Sequence, residues 1–376
     1  MRFDIKRLYT FTIIIGITFS LGLSHNSSSS YASFIDKDDN ILKTNLIITN
    51  NILFEQISNI KNTKIILLTD GLFSDAGWGA FSYNAVRALE QKYGYDVDFK
   101  ENVDVLDMES IIIECANAGY DLIITHGFEW GEAVLKVSKD YPDTKFIVFP
   151  GFVKSPNVSS IFPMQQEATY LLGALAAMMS KTNIIGFIGG KAYPNIINIY
   201  EGYKQGALHI DPTIKILVTY LNDWKNPSKG KEAALSQINK GVDILLHVAD
   251  TSGLGVIEVA KERQIFVFGS VLDQNKLAPT TILTSFVFDV EKAFDQVIKM
   301  IQKGNFTGQI FKPGLEPYKG APGEGIIYLP PFSNIENKIP ENVKIKINQL
   351  KNDIIRKNIV VPERYTTTST FNNYNN

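Results

Sequence analysis

The chain has 376 residues, 45% of them hydrophobic, which is enough to bury a sizeable core and long enough for two lobes of roughly 100–150 residues each. Its 37 Lys and Arg against 39 Asp and Glu leave a net charge of -2, which offers no basic field for nucleic acid and suits a neutral or weakly charged ligand. The one cysteine, Cys115, excludes an internal disulfide, and no cysteine stands near the N-terminus to accept lipid.

In chain order, Arg2, Lys6 and Arg7 precede an apolar run over 8–23, and Ser30-Tyr31-Ala32 supplies a small-x-small cleavage pattern. Residues 1–32 are therefore expected to be a signal peptide, with a mature chain from Ser33 acting outside the cytoplasm, in the periplasm. An uncleaved anchor is the alternative, because the run approaches the roughly 17–25 residues that span a bilayer. Residues 33–62 read as a polar N-terminal extension. Beyond it, apolar β-rich runs at 64–69, 96–101, 122–125, 145–149, 184–188, 215–220, 244–248 and 266–268 alternate with helical patterns at 78–93, 108–118, 130–139, 167–179, 196–209, 229–239, 255–262 and 290–303. Cys115 falls in the second of these helices, where it reads as a small buried apolar residue. Unbroken apolar strands separated by helices predict parallel sheets covered on both faces. The pattern starts afresh near Ile184, so two doubly wound lobes with a cleft between them are expected. The tail, 363–376, is rich in Thr, Asn and Tyr and reads as disordered.

Ligands of open α/β sheets bind beyond the carboxyl ends of the strands, here the loops 70–78, 126–130, 150–152, 189–195, 222–224, 249–255 and 269–273. Two of the three tryptophans, Trp78 and Trp224, fall in these loops, one per lobe, and Trp130 is nearby. Such rings either stack on a flat apolar ligand or pack under their loops. Asp70 ends the first strand, where a carboxylate can accept from a ligand or cap the next helix; Asp75 stands closer to the helix start and is the better cap. His126 and His247 are possible cleft residues. A metal pair has no Cys, Asp or Glu spacing to support it, and hydrogen bonding or packing is the simpler role. No H-E-x-x-H, G-x-S-x-G or phosphate-loop pattern occurs, so an enzyme is not expected.

The stretch Leu68-Thr-Asp-Gly-Leu-Phe-Ser-Asp-Ala-Gly-Trp78-Gly-Ala-Phe-Ser-Tyr-Asn-Ala resembles the opening motif of the basic membrane protein (BMP) family, which includes purine nucleoside receptors of ABC transporters. Matches follow in order at Tyr120-Asp-Leu-Ile-Ile-Thr-His-Gly-Phe, Tyr141-Pro-Asp-Thr-Lys-Phe, Gln166-Glu-Ala-Thr-Tyr-Leu-Leu-Gly173, Tyr200-Glu-Gly-Tyr-Lys-Gln-Gly206, Asn222-Asp-Trp-Lys-Asn-Pro-Ser-Lys-Gly230 and Ala249-Asp-Thr-Ser-Gly-Leu-Gly-Val256. The resemblance implies a type I periplasmic-binding fold, with 63–163 and 286–310 in the first lobe and 164–285 and 311–362 in the second. It implies a solute-binding protein that delivers its ligand to an ABC permease, with no cofactor, no metal and a monomeric state. Trp78 and Trp224 match the aromatics that sandwich the base, and Asp70 matches the carboxylate ending the first strand.

Three polar family positions are replaced: Pro150 and Val271 stand where the family has Asp, and Phe288 where it has Lys. Those groups serve ribose and base edges, so a purine base such as adenine or hypoxanthine fits better than a nucleoside, whose hydroxyls would go unpaired at about 1–3 kcal/mol each. Asp70, His126 and Glu129 are candidates for the ligand's polar edge; Phe128 and Asp250, in matched segments, complete the set, and Asp273 could replace the Asp missing at Val271 if its loop is shifted. A sugar or other small-solute receptor on the same fold, and a surface interaction protein with a vestigial cleft, are the alternatives.

Overall fold

The structure is a computed structural model, and it describes residues 63–74, 78–317 and 325–364. The signal peptide, the extension, the cap expected at Asp75 and the tail beyond Arg364 lie outside the described residues.

Five strands of the first lobe, β1 (Lys64–Thr69), β2 (Asp96–Lys100), β3 (Leu122–His126), β4 (Lys145–Phe149) and β5 (Val158–Ile161), alternate with helices α1 (Trp78–Tyr93), α2 (Met108–Asn117) and α3 (Trp130–Val137). The second lobe repeats the plan with β6 (Ile184–Gly189), β7 (Lys215–Tyr220), β8 (Ile244–Val248), β9 (Phe266–Val271) and β10 (Ile282–Phe288) around α5 (Pro194–Ile210), α6 (Pro227–Ile238) and α7 (Asp250–Glu262). Helix α4 (Gln165–Met179) joins the two; α8 (Val290–Gln302), the short strands β11 (Ile310–Phe311) and β12 (Ile327–Tyr328), and α9 (Glu341–Ile355) follow. The sheet orders are β11-β5-β4-β3-β1-β2 and β12-β10-β9-β8-β6-β7. Every pairing is parallel except that of β12 with β10. This is the type I two-lobed architecture.

Sheet position explains the strand sequences. β3 and β8 lie inside their sheets, are buried at every residue and read as apolar runs apart from Thr125 and a histidine in each. β2 and β7, at the edges, carry exposed charges at Asp96, Asp98 and Lys215, which discourage further strand pairing. Alternate residues of β1 feed opposite faces: Ile66 and Leu68 join a core private to the first lobe, while Ile65 and Leu67 join one that also takes Ile185 and Phe187 of β6. That shared core includes α4, buried from Gln166 to Ala176.

The chain returns from the second sheet after Phe288, three residues beyond the expected end of that segment at 285, because β10 stays in the second sheet to its end. β11 then lies in the first sheet and β12 in the second, giving three passages between lobes. Strands β5, β10, β11 and β12 and helix α9 are additions to the expected elements.

Candidate functional site

The first-lobe wall is built at the ends of β1 and β3. Asp70 follows β1 in a turn where Gly71 N–H donates to Thr69 Oγ1 (3.1 Å). Gly127 follows β3 with φ +140°; a Cβ there would lie 2.9 Å from the Trp130 ring and 3.3 Å from Asp70 Oδ1, so glycine is what lets these parts meet. Trp130 itself is fully buried in the first-lobe core and takes no part in a cleft surface.

Trp78 opens α1 half-buried, with its indole against the His126 imidazole (centroids 4.0 Å apart) and Phe149 (5.7 Å). His126 lies nearly parallel to Phe149 (5.2 Å, 9°), and Phe149 in turn stacks on Phe288 (5.2 Å, 26°). His126 Nδ1 shares a 2.6 Å hydrogen bond with Ser82 Oγ, whereas Nε2 is buried without a protein partner. Burial alone holds this imidazole down to about 3, so it is neutral.

The second-lobe wall supports its ring differently. Trp224, also half-buried, lies on the backbone of Gly190: a Cβ at Gly190 would fall 2.1 Å from the indole. The loop carrying it is tied to α7, since Ser252 N–H donates to Trp224 O (3.0 Å) and Asn226 N–H to Ser252 Oγ (2.9 Å). Tyr193 stands beside Trp224 (6.1 Å), with Lys191 Nζ 5.6 Å from its ring centroid.

Charges join the walls. Burial and then the Glu129 charge raise the Asp70 carboxyl, while Lys225 and Lys191, both from the other lobe, pull it back. Tyr193 is raised by burial first and then by Glu129, across the cleft from it. Two carboxylates, two ammonium groups and the Tyr193 phenol thus interact across the cleft.

The structure therefore brings Asp70 and Glu129 into electrostatic reach of Lys225 and Lys191, with Trp78 on His126 at the end of β3, Trp224 next to Lys225, and Phe128 in an edge contact to Phe152 (6.1 Å). His126 is not in a loop: β3 runs through it, and it is fully buried behind Trp78. His247 is likewise buried within β8, with Nε2 3.0 Å from Gln274 Oε1. Asp250 is the first residue of α7 rather than part of a loop, half-buried with φ +48°.

Asp273 stands two residues beyond Val271, the end of β9. It is exposed and accepts from Asn275 N–H (3.0 Å) in a tight turn, while Gln274 folds back to accept from Ser270 N–H (3.0 Å) and occupies the strand end. Pro150 and Phe288 are buried, the latter within the ring stack. Lys191, Tyr193 and Lys225 escaped the sequence reading, although 189–195 is among its loops; aromatic and basic residues there were the available signal.

Among the described residues no group of three His, Cys, Asp or Glu could hold a metal ion. A separate cavity of about 320 Å³ lies among the passages between lobes, lined in part by Glu167, Lys312, Glu316 and Lys357. Its buried carboxylate, Glu167, already accepts from Leu315 N–H (3.0 Å) and contacts Lys357 Nζ (3.5 Å), so it serves as a polar seam.

The chain is 32% identical over 273 residues to a purine-binding protein of Brucella abortus, covering 72% of this chain and 74% of that one. It is 29% identical over 310 residues to basic membrane protein A of Borreliella afzelii, covering 80% and 91%. A crystal structure of an ABC transporter solute-binding protein from Aeropyrum pernix superposes with a TM-score of 0.72 at 23% identity, over 82% of this chain and 95% of that one, a likeness of fold. The Bmp profile, described as ABC transporter substrate-binding protein PnrA-like, matches residues 62–365, and the chain belongs to this family of ABC-type solute-binding proteins.

Proposed function

We propose that this protein is an exported receptor that closes its lobes on a purine base and passes it, unaltered, to an ABC permease. The observation that carries the reading is the pair of half-buried indoles, Trp78 and Trp224, one on each lobe and each backed on one face, with Asp70 and Glu129 on loops at the strand ends of the first lobe. A purine ring stacks between such faces, and its N–H groups are matched by carboxylate acceptors. The apolar Pro150, Val271 and Phe288 favour a base over a nucleoside. The name of the Brucella relative agrees with a purine.

Binding without turnover is the coherent chemistry. The Ser82–His126 pair has the spacing of a nucleophile and its base, but both residues are 0% exposed and behind Trp78, so no substrate reaches them. We place the mature chain, cut after Ala32, in the periplasm as a monomer. Asp70 and Glu129 could instead accept from ribose hydroxyls, which makes the nucleoside the second reading.

Thermal unfolding of residues 33–376 with adenine, hypoxanthine, guanine, adenosine, guanosine and ribose decides between them. A ligand at 100 times its Kd adds about 2.7 kcal/mol to stability. Stabilisation by bases and not by nucleosides is expected; larger shifts with nucleosides would favour the second reading, and no shift with any of the six would remove the purine assignment.

A further inference from the structure

We infer that His126 is a positioning residue: held by Ser82, it sets the plane of the Trp78 indole from behind and does not touch the ligand itself. The affinity part of this inference rests on the proposed ligand site.

Three observations carry it. His126 fills the space between Trp78 and Phe149, 4.0 Å and 5.2 Å from their ring centres, and is nearer the indole than Phe149 (5.7 Å) or Phe81 (6.3 Å). It is fully buried, with Nε2 unpartnered, so in a slot among Phe81, Phe149 and Phe288 a phenyl ring would pack without leaving a polar atom unsatisfied. An imidazole kept in such surroundings is explained by its other nitrogen, which makes the 2.6 Å bond to Ser82 on the same helix that begins with Trp78. One turn of α1 separates Trp78 from Ser82 (i, i+4), so the two residues lie on one helix face. The imidazole thus touches that face twice, through its ring at Trp78 and through Nδ1 at Ser82. This double contact fixes the rotation of the imidazole, and with it the surface on which the indole rests. The stack continues through Phe149 to Phe288, the last residue before the chain crosses back to the first lobe, so the ring that meets the ligand is seated on the hinge.

The test uses the mature chain labelled with 5-fluorotryptophan, whose three fluorine resonances are assigned by Trp78→Phe, Trp130→Phe and Trp224→Phe. Without ligand, His126→Ala and Ser82→Ala are expected to move or broaden the Trp78 resonance while leaving that of Trp224 in place. With adenine, His126→Ala should weaken binding about tenfold or more, within the range of a lost aromatic stack, and Ser82→Ala by about threefold to tenfold. His126→Phe returns ring support but not the Ser82 bond, so it should bind better than His126→Ala and about as well as Ser82→Ala. An unmoved Trp78 resonance in folded His126→Ala overturns the inference, as does a folded His126→Phe that binds no better than His126→Ala. If the wild type binds no purine, the functional reading fails, and the ligand-free resonances still decide the role of His126.

Discussion

The two lobes have the same strand order and hold a tryptophan at corresponding rims, yet they support it by opposite means. In the first lobe the indole rests on a layer of side-chain rings, His126 over Phe149 over Phe288; in the second it rests on bare backbone at Gly190. The charges differ too, with Asp70 and Glu129 facing Lys191 and Lys225. A ring can therefore be positioned by thickening the wall behind it or by thinning that wall to glycine. The first route places a buried polar ring under the site, and the second places a hard steric limit there.

The largest expected effect concerns the histidines that each lobe buries in its matching interior strand, His126 at the end of β3 and His247 one position earlier on β8. Burial lowers them to about 3 and about 4, against an unfolded value near 6.5. Between those values the unfolded chain binds a proton that the folded chain refuses, so stability is full above about pH 6.5 and falls as pH drops towards 3. At pH 5 the loss is about 2 kcal/mol per histidine, about 4 kcal/mol for both. Urea unfolding at pH 7 and pH 5 should show this difference, and His126→Phe should remove about half of it. An unchanged pH slope in that variant would mean that His126 is not buried neutral.

Next in size is the test of the thin wall. Gly190→Ala puts a Cβ 2.1 Å from the indole, so Trp224 must leave its seat, and purine affinity should fall about 100-fold. Calorimetric titration that finds wild-type affinity in folded Gly190→Ala would remove Trp224 from the ligand surface. Trp78→Ala and Trp224→Ala should each cost about 1–3 kcal/mol of binding, the range for one stacked base. Near-equal losses would say that the two forms of support are interchangeable, while a loss confined to Trp78 would say that the ligand sits on the first lobe alone.

The comparison also shows what the sequence makes legible. Interior strands such as 122–125 and 244–248 read clearly because both faces are covered and nearly every residue is apolar. β5, with the sequence VSSI, did not, because its buried serines are satisfied by partners no local pattern reveals; Ser160 Oγ donates to Val153 O at 2.6 Å. Helix α9 buries Val343, Ile347, Leu350 and Ile354 along one stripe, a helical spacing diluted by Asn and Lys. The strand-end positions of Trp78, Trp224 and Asp70 were legible because each follows an apolar run closely. The depth of His126 was not, since β3 runs one residue further than its apolar run and places the histidine inside the sheet. Nor was the fate of Asp273, which depends on a turn closing onto Asn275 N–H. Lys191, Tyr193 and Lys225 matter through proximity between lobes, which no local spacing encodes.

The smallest effect probes how the second wall is ordered. Ser252 ties the Trp224 loop three times, through its own N–H to Trp224 O (3.0 Å) and through Oγ, which accepts from Asn226 N–H (2.9 Å) and donates to Asp223 O (3.4 Å). Ser252→Ala keeps the first bond and deletes the two made by Oγ. Asn226 is half-buried, so its freed N–H can recover part of its hydrogen bonding from water, and the cost should stay near 1 kcal/mol. If that cost falls on global stability, urea unfolding will show it with purine affinity within about twofold of wild type. If it falls on the loop alone, affinity will drop about fivefold with stability unchanged, since 1.4 kcal/mol is tenfold in binding. The second outcome is expected: the first wall is part of the shared core and yields only when the core does, whereas the loop of the second wall is a surface segment that can loosen by itself.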